Sequence, residues 1–195
     1  QTFTRRNNHA MKILFYDTET TGTDPTVHGI HELSYALWVD GEIKSQKEVR
    51  IRPFMGCVYD PDALQIGGVT VDDVNKGESE LIAHRSFTAD LSRYVDRFDK
   101  KDKVFLCGYN NASFDDKFMR AWFLRNGDKY FGSYFWSSPL DLFVQASFYF
   151  MKIRKNFPDF KQGTVAKALG VQVDDSKLHD STYDLYVLME IFKKL

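Results

Sequence analysis

The chain has 195 residues, 43% hydrophobic, 27% charged and 15% aromatic, which fits one globular domain with enough apolar side chains for a core. This composition excludes disorder, collagen and coiled coil, no apolar run reaches the roughly 18 residues of a membrane span, and two cysteines, Cys57 and Cys107, are too few for a disulfide framework. With 26 basic against 27 acidic residues no global field attracts polyanions, so any nucleic-acid affinity has to be local. A cytoplasmic address with reduced thiols and no membrane partner is the expectation.

Residues 1–10, QTFTRRNNHA, are polar and aperiodic and read as a cloning scar or disordered arm ahead of a single domain over 11–195. Residues 12–16 (KILFY) are apolar on both strand faces, predicting a central strand covered by helices on either side. Residues 32–39 and 42–51 read as strands joined at Asp40-Gly41, a two-residue hairpin signal, so an antiparallel meander opens the fold. Thr70 is placed to cap a short helix, and apolar residues recur at helical spacing over 80–98 before a strand at 104–109. Further helices are predicted over 114–125, from Pro139 to about residue 153 with Ser138 as cap, over 165–169, and over 181–195. The pattern is α/β.

Acidic residues stand where they are costly. Asp17 and Glu19 end the most apolar strand and, two apart, point to the same face, so they repel unless a cation lies between them. In the last helix the stripe Val187, Leu188, Ile191, Leu195 steps back by four onto Asp184, so a carboxylate takes a core-facing position. Asp180 is placed as that helix's N-cap, with His179 just outside it. In NNASFDDKFMRAWF, Asp115 shares a stripe with Phe118, Met119 and Trp122, whereas Asp116 turns to Arg120 and reads as a surface ion pair. Asp17, Glu19, Asp115 and Asp184 together make a hard-oxygen donor set suited to two Mg²⁺ or Mn²⁺ ions, as two-metal phosphoryl transfer requires. His179 has an ordinary pKa near 6.5 suited to taking a proton from water.

Asp17-Thr18-Glu19, Asn111-Ala112-Ser113-Phe114-Asp115, and His179 followed five residues later by Asp184 resemble the three motifs of the DEDDh (DnaQ-like) 3′-to-5′ exonucleases. The segment 108–116 is most similar to the exonuclease I branch, which degrades single-stranded DNA. The resemblance, over residues 11–195, implies a ribonuclease H-like mixed five-stranded sheet, the first three strands antiparallel, with the fifth strand within 130–136. It also implies two divalent ions held by Asp17, Glu19, Asp115 and Asp184, with His179 as general base. The segment 66–70 resembles the part of the family that packs on the 3′-terminal nucleotide, where histidine or threonine commonly stands in place of Gly67. Thr18, Thr20, Gly68, Val69, Asn111 and Phe114 are the candidate substrate contacts, although Phe114 also suits core packing. Residues 148–161 interleave aromatics with Lys152, Arg154, Lys155 and Lys161, which suits a single strand or, alternatively, a basic helix end. Asp141, three after Ser138, reads as a capping residue.

The function implied is release of nucleoside monophosphates from the 3′ end of single-stranded nucleic acid, DNA favoured. The alternatives are an RNA-directed enzyme of the same family or a non-catalytic binding subunit. A polymerase or other processivity partner is expected.

Overall fold

A computed structural model describes residues 10–178 and 180–195. The expected arm at residues 1–9 and His179 therefore lie outside the described residues. Strands β1 (Lys12–Thr20), β2 (Ile30–Val39) and β3 (Glu42–Arg52) form the antiparallel meander. The β2–β3 turn is tight because Asp40 and Gly41 both take positive φ, 47° and 98°, as a primed turn needs. Helices α1 (Pro61–Ile66) and α2 (Val71–Asn75) follow, the latter with a full capping box between Thr70 and Asp73. A two-residue strand β4 (Glu78–Ser79) leads into α3 (Glu80–Leu91), and β5 (Phe105–Gly108) returns parallel to β1. The rest comprises α4 (Asp115–Arg125), α5 (Phe131–Tyr134), β6 (Leu140–Asp141), α6 (Leu142–Tyr149), a 3₁₀ segment (Met151–Asn156), α7 (Gln162–Ala168), a second 3₁₀ turn (Asp175–Lys177) and α8 (Ser181–Lys194).

The strand order is β4-β3-β2-β1-β5-β6, so β1 sits inside the sheet, antiparallel to β2 and parallel to β5. This is the anticipated ribonuclease H-like arrangement. The alternation of β1 sorts the two cores. Leu14 and Tyr16 join Phe87 of α3 and Phe118, Trp122 and Phe123 of α4 on one face. Ile13 and Phe15 join Leu142, Ala166, Leu185, Leu188 and Ile191 on the other. A third cluster, Ala146, Phe150, Phe160 and Val165, anchors the α6–α7 segment.

Four expectations are corrected. The strand sought within 130–136 is instead the turn of helix α5, whose Phe131 and Tyr134 are buried, and Phe135 makes only a single bridge to Val104. The place beside β5 goes to β6, and with β4 the sheet has six strands rather than five. The helix expected from Pro139 starts at Leu142, because residues 140–141 first complete the parallel ladder and Asp141, not Ser138, caps the helix. The helix expected over 80–98 stops at Leu91.

One buried charge escaped the apolar reading of β1. Lys12 is 8% exposed, and its ammonium donates to Asp102 and to the Tyr94 carbonyl, while the second Asp102 oxygen accepts from the Asp96 amide. Removing one member of such a buried pair strands the other, at a cost of about 3–5 kcal/mol. Urea denaturation should therefore show K12M destabilised by about that amount, with the double variant K12M/D102L recovering part of it; a loss below about 1 kcal/mol for K12M would show the pair to be solvated.

Candidate nuclease active site

The site is built at the C-terminal end of β1, where the two helical layers open. By alternation Asp17 and Glu19 leave the sheet on the α8 face, and Thr18 leaves it on the α4 face. Asp115, the first residue of α4, reaches across: its Oδ1 accepts from the Thr18 hydroxyl at 2.5 Å and from the Thr18 amide at 3.2 Å. Asp184 lies in the first turn of α8, a helix set by the Asp180 cap, whose side chain accepts from the Tyr183 amide. The Asp184 carbonyl also accepts from Gln162 Nε2 at 2.7 Å, tying α8 to α7.

The acids act on one another electrostatically. Burial first, and then the charges of Asp115, Glu19 and Asp184, push the Asp17 carboxyl well above the ordinary range. Burial together with Glu32, Asp184 and Asp115 raises Glu19 to about 7, and burial raises Asp115 to about 6 against the opposing hydrogen bonds from Thr18. The four carboxylates drawn from a strand and two helices thus share one field. Among the described residues no three His, Cys, Asp or Glu side chains close into a ready metal cage. Bare carboxylates in a common field repel, and this donor set of oxygens with suppressed ionisation fits a hard divalent cation.

The loop that delivers Asp115 is tightly specified. A Cβ on Gly108 would lie 2.6 Å from the Asn111 side chain, so glycine is required there, and Asn110 turns the chain at φ 61°. Asp141 secures this turn from β6: Oδ1 accepts from the Asn110 and Phe143 amides at 2.9 and 3.0 Å, and Oδ2 accepts from the Ala112 amide at 3.2 Å. A capping contact with Ser138 was expected of it; instead it is the N-cap itself, and its grip on the Asn110–Ala112 loop was not anticipated. Asp116 does pair with Arg120, at 2.6 Å, yet it is buried, contrary to the surface position expected, because Arg120 folds over the Phe131 ring.

The candidate substrate contacts divide. Asn111 is fully buried, donating to the Tyr16 hydroxyl at 3.4 Å, and Thr20 is buried with its hydroxyl donating to the Gly22 carbonyl. Thr18 is likewise committed to Asp115, and Phe114 packs on the core against Phe118 with ring centroids 5.0 Å apart. Gly68, at φ 64°, and Val69 do line an open cleft of about 370 Å³, together with His31, Glu32, Arg50 and Lys76. Glu32, cross-strand partner of Glu19, is a fifth carboxylate in the same field; burial raises its pKa, while Ser181 and Arg50 oppose that. The hairpin register carries the signal for it. In the aromatic-basic segment, Phe148, Tyr149 and Met151 are exposed, and Arg154 lies 4.8 Å above the Phe160 ring. Among the described residues no helix is long and apolar enough to cross a membrane.

The chain resembles known nucleases in sequence and in fold. The RNase_T exonuclease family matches residues 14–192. Exodeoxyribonuclease I of Buchnera aphidicola subsp. Baizongia pistaciae is 26% identical over 204 residues, covering 96% of this chain and 40% of that protein. A zinc-bound complex of E. coli ExoI with single-stranded DNA superposes with a TM-score of 0.73 at 26% identity, covering 95% of this chain and 40% of that one. E. coli exonuclease I in complex with a dA16 oligonucleotide gives 0.69 at 26% identity over the same shares. The chain therefore spans about 40% of the length of these relatives. With a family match running from within β1 to within α8, the chain belongs to the RNase_T exonuclease family.

Proposed function

We propose that the chain is a metal-dependent 3′-to-5′ exonuclease domain that releases nucleoside monophosphates from single-stranded ends, DNA favoured. The observation that carries this reading is the shared field of Asp17, Glu19, Asp115 and Asp184 at the end of β1. The complexes of E. coli ExoI with single-stranded DNA support the choice of strand.

In this reading the four carboxylates hold Mg²⁺ or Mn²⁺, two per site. When bound, the ions supply neutralising charge to the scissile phosphate and lower the pKa of the attacking water. The chain's own residues do the rest. Thr18 fixes the rotamer of Asp115 through two hydrogen bonds, and the Asp180 cap and Gln162 fix the turn that carries Asp184. The cleft beside Gly68 and Val69 receives the terminal nucleotide, with Arg50 and Lys76 on its rim. His179, adjacent to the Asp180 cap in sequence, accepts the proton from the attacking water. A partner or further domain would supply processivity, and residues 11–195 act as one exonuclease domain.

Two outcomes test this. With a 5′-labelled single strand and Mg²⁺, the wild-type chain should give a ladder shortening from the 3′ end; H179A should lower kcat by about 10²–10⁴-fold, and D17A should abolish turnover while keeping its circular dichroism spectrum. Undiminished digestion by D17A would exclude the assignment. The second outcome is thermodynamic. Glu19 and Asp115, ordinarily at 4.5 and 3.8, lie at about 7 and about 6 in the folded chain. Between those limits the folded state holds protons that the unfolded chain has released, so these groups cost stability as pH rises from about 4 to about 7. His31, pushed down from 6.5 to about 4 by burial, slopes the other way over part of the same range, so the diagnostic is the ion-dependent shift in Tm. Millimolar Mg²⁺ or Mn²⁺ should raise Tm more at about pH 8, where the carboxylates are ionised, than at about pH 5.5; equal shifts at both pH values would contradict ligation by these acids.

A further inference from the structure

Facing the end of β1, β2 carries one residue too many. Glu32 opposes Glu19 and Ile30 opposes Thr20, which makes His31 the extra residue of a bulge. Bulges re-aim side chains and recur beside active sites. His31 is 6% exposed, and its Nε2 is buried with no hydrogen-bond partner among the described residues. A residue serving packing alone would be apolar there, because an unpartnered buried nitrogen costs stability.

Gly67, at the end of α1, shows where that nitrogen points. Its φ of −73° is ordinary, so the backbone does not demand glycine. A Cβ at Gly67 would lie 3.7 Å from the Ala63 carbonyl, 3.7 Å from His31 Nε2 and 3.8 Å from Glu19 Oε2, all comfortable distances. The absent side chain therefore leaves a slot bounded by an imidazole nitrogen on one side and a carboxylate oxygen on another. His31 also lines the cleft that holds Gly68 and Val69. A neutral imidazole presents a single N–H, which Nε2 can carry. A small uncharged group that accepts from an N–H and donates to a carboxylate is a hydroxyl.

We propose that His31 is a specificity-determining residue: in the slot over Gly67 its Nε2–H donates to the terminal 3′-hydroxyl of a bound strand, whose own O–H donates to Glu19. The inference rests on the exonuclease reading above. It makes β2, which bears none of the four acids, the strand that checks whether an end is chemically intact.

The test is a cycle between protein and substrate. Digestion of a single-stranded DNA ending in a 3′-hydroxyl is compared with that of the same strand ending in a 2′,3′-dideoxynucleotide, for wild type and H31L. Wild type should lose at least tenfold in kcat/KM when the hydroxyl is removed, and in H31L that penalty should shrink by about tenfold. H31L should also melt at the same or a higher temperature, an outcome that a purely structural histidine would not give. G67A, which puts a methyl group into the slot without altering His31, should reduce the penalty in the same direction. An unchanged penalty in both variants would mean that the slot holds only solvent and would overturn the role of His31 while leaving the nuclease intact. Failure of wild type to digest either strand would overturn both.

Discussion

Repulsion among carboxylates at the end of β1 is the constraint around which this fold is organised. The hydrophobic effect decides that β1 lies inside the sheet, since Ile13, Leu14, Phe15 and Tyr16 are all buried. The same strand then carries Asp17 and Glu19 into a poorly solvated position, and α4 and α8 bring Asp115 and Asp184 toward them. Each added acid raises the cost of ionising the others. An arrangement that is unfavourable for stability persists because the apolar layers on both faces over-determine the backbone, leaving the acids little freedom to separate. A site of this kind stores affinity for positive charge in the packing around it.

The alternation of a single strand explains how two layers serve one site. Even-numbered residues of β1 face α3 and α4, and odd-numbered residues face α6 to α8, so neither layer alone can hold all four acids. Thr18 solves the geometry by reaching from the even face to Asp115. On the other face the Ser34 hydroxyl donates to the Ser181 hydroxyl at 2.8 Å, joining the strand residue opposite Asp17 to the first residue of α8. The pair of contacts holds both helix N-termini to the sheet within a turn of the acids, and it concentrates helix-dipole positive ends near the negative cluster.

Much of this was legible in the sequence because it follows from periodicity. The apolar run of β1, the Asp40-Gly41 turn and the Thr70 and Asp180 caps all follow from local pattern. What escaped has a non-local cause. Lys12 looks like the polar start of a strand, and only the fold supplies Asp102, ninety residues away, as its buried partner. The strand expected near Tyr130 is a helical turn that packs Phe131 against Phe123, a contact set by α4 and not by the local pattern. Two-residue strands such as β6 carry too little pattern to be read. The bulge at His31 shows only in the register of β2 against β1, and the register is a property of two strands together.

The flanks of the sheet carry a consequence for solubility. Both outer strands, β4 and β6, are two residues long. β4 covers only Ile51 and Arg52, so among the described residues most of β3 forms an unpaired rim. That rim bears Glu42, Lys44, Lys47, Glu48 and Arg50, charges of both signs, several of them paired with one another or with neighbours. A neighbouring molecule seeking to extend the ladder along β3 would have to strip water from those ions, so the domain guards itself against strand-to-strand aggregation by charge rather than by cover.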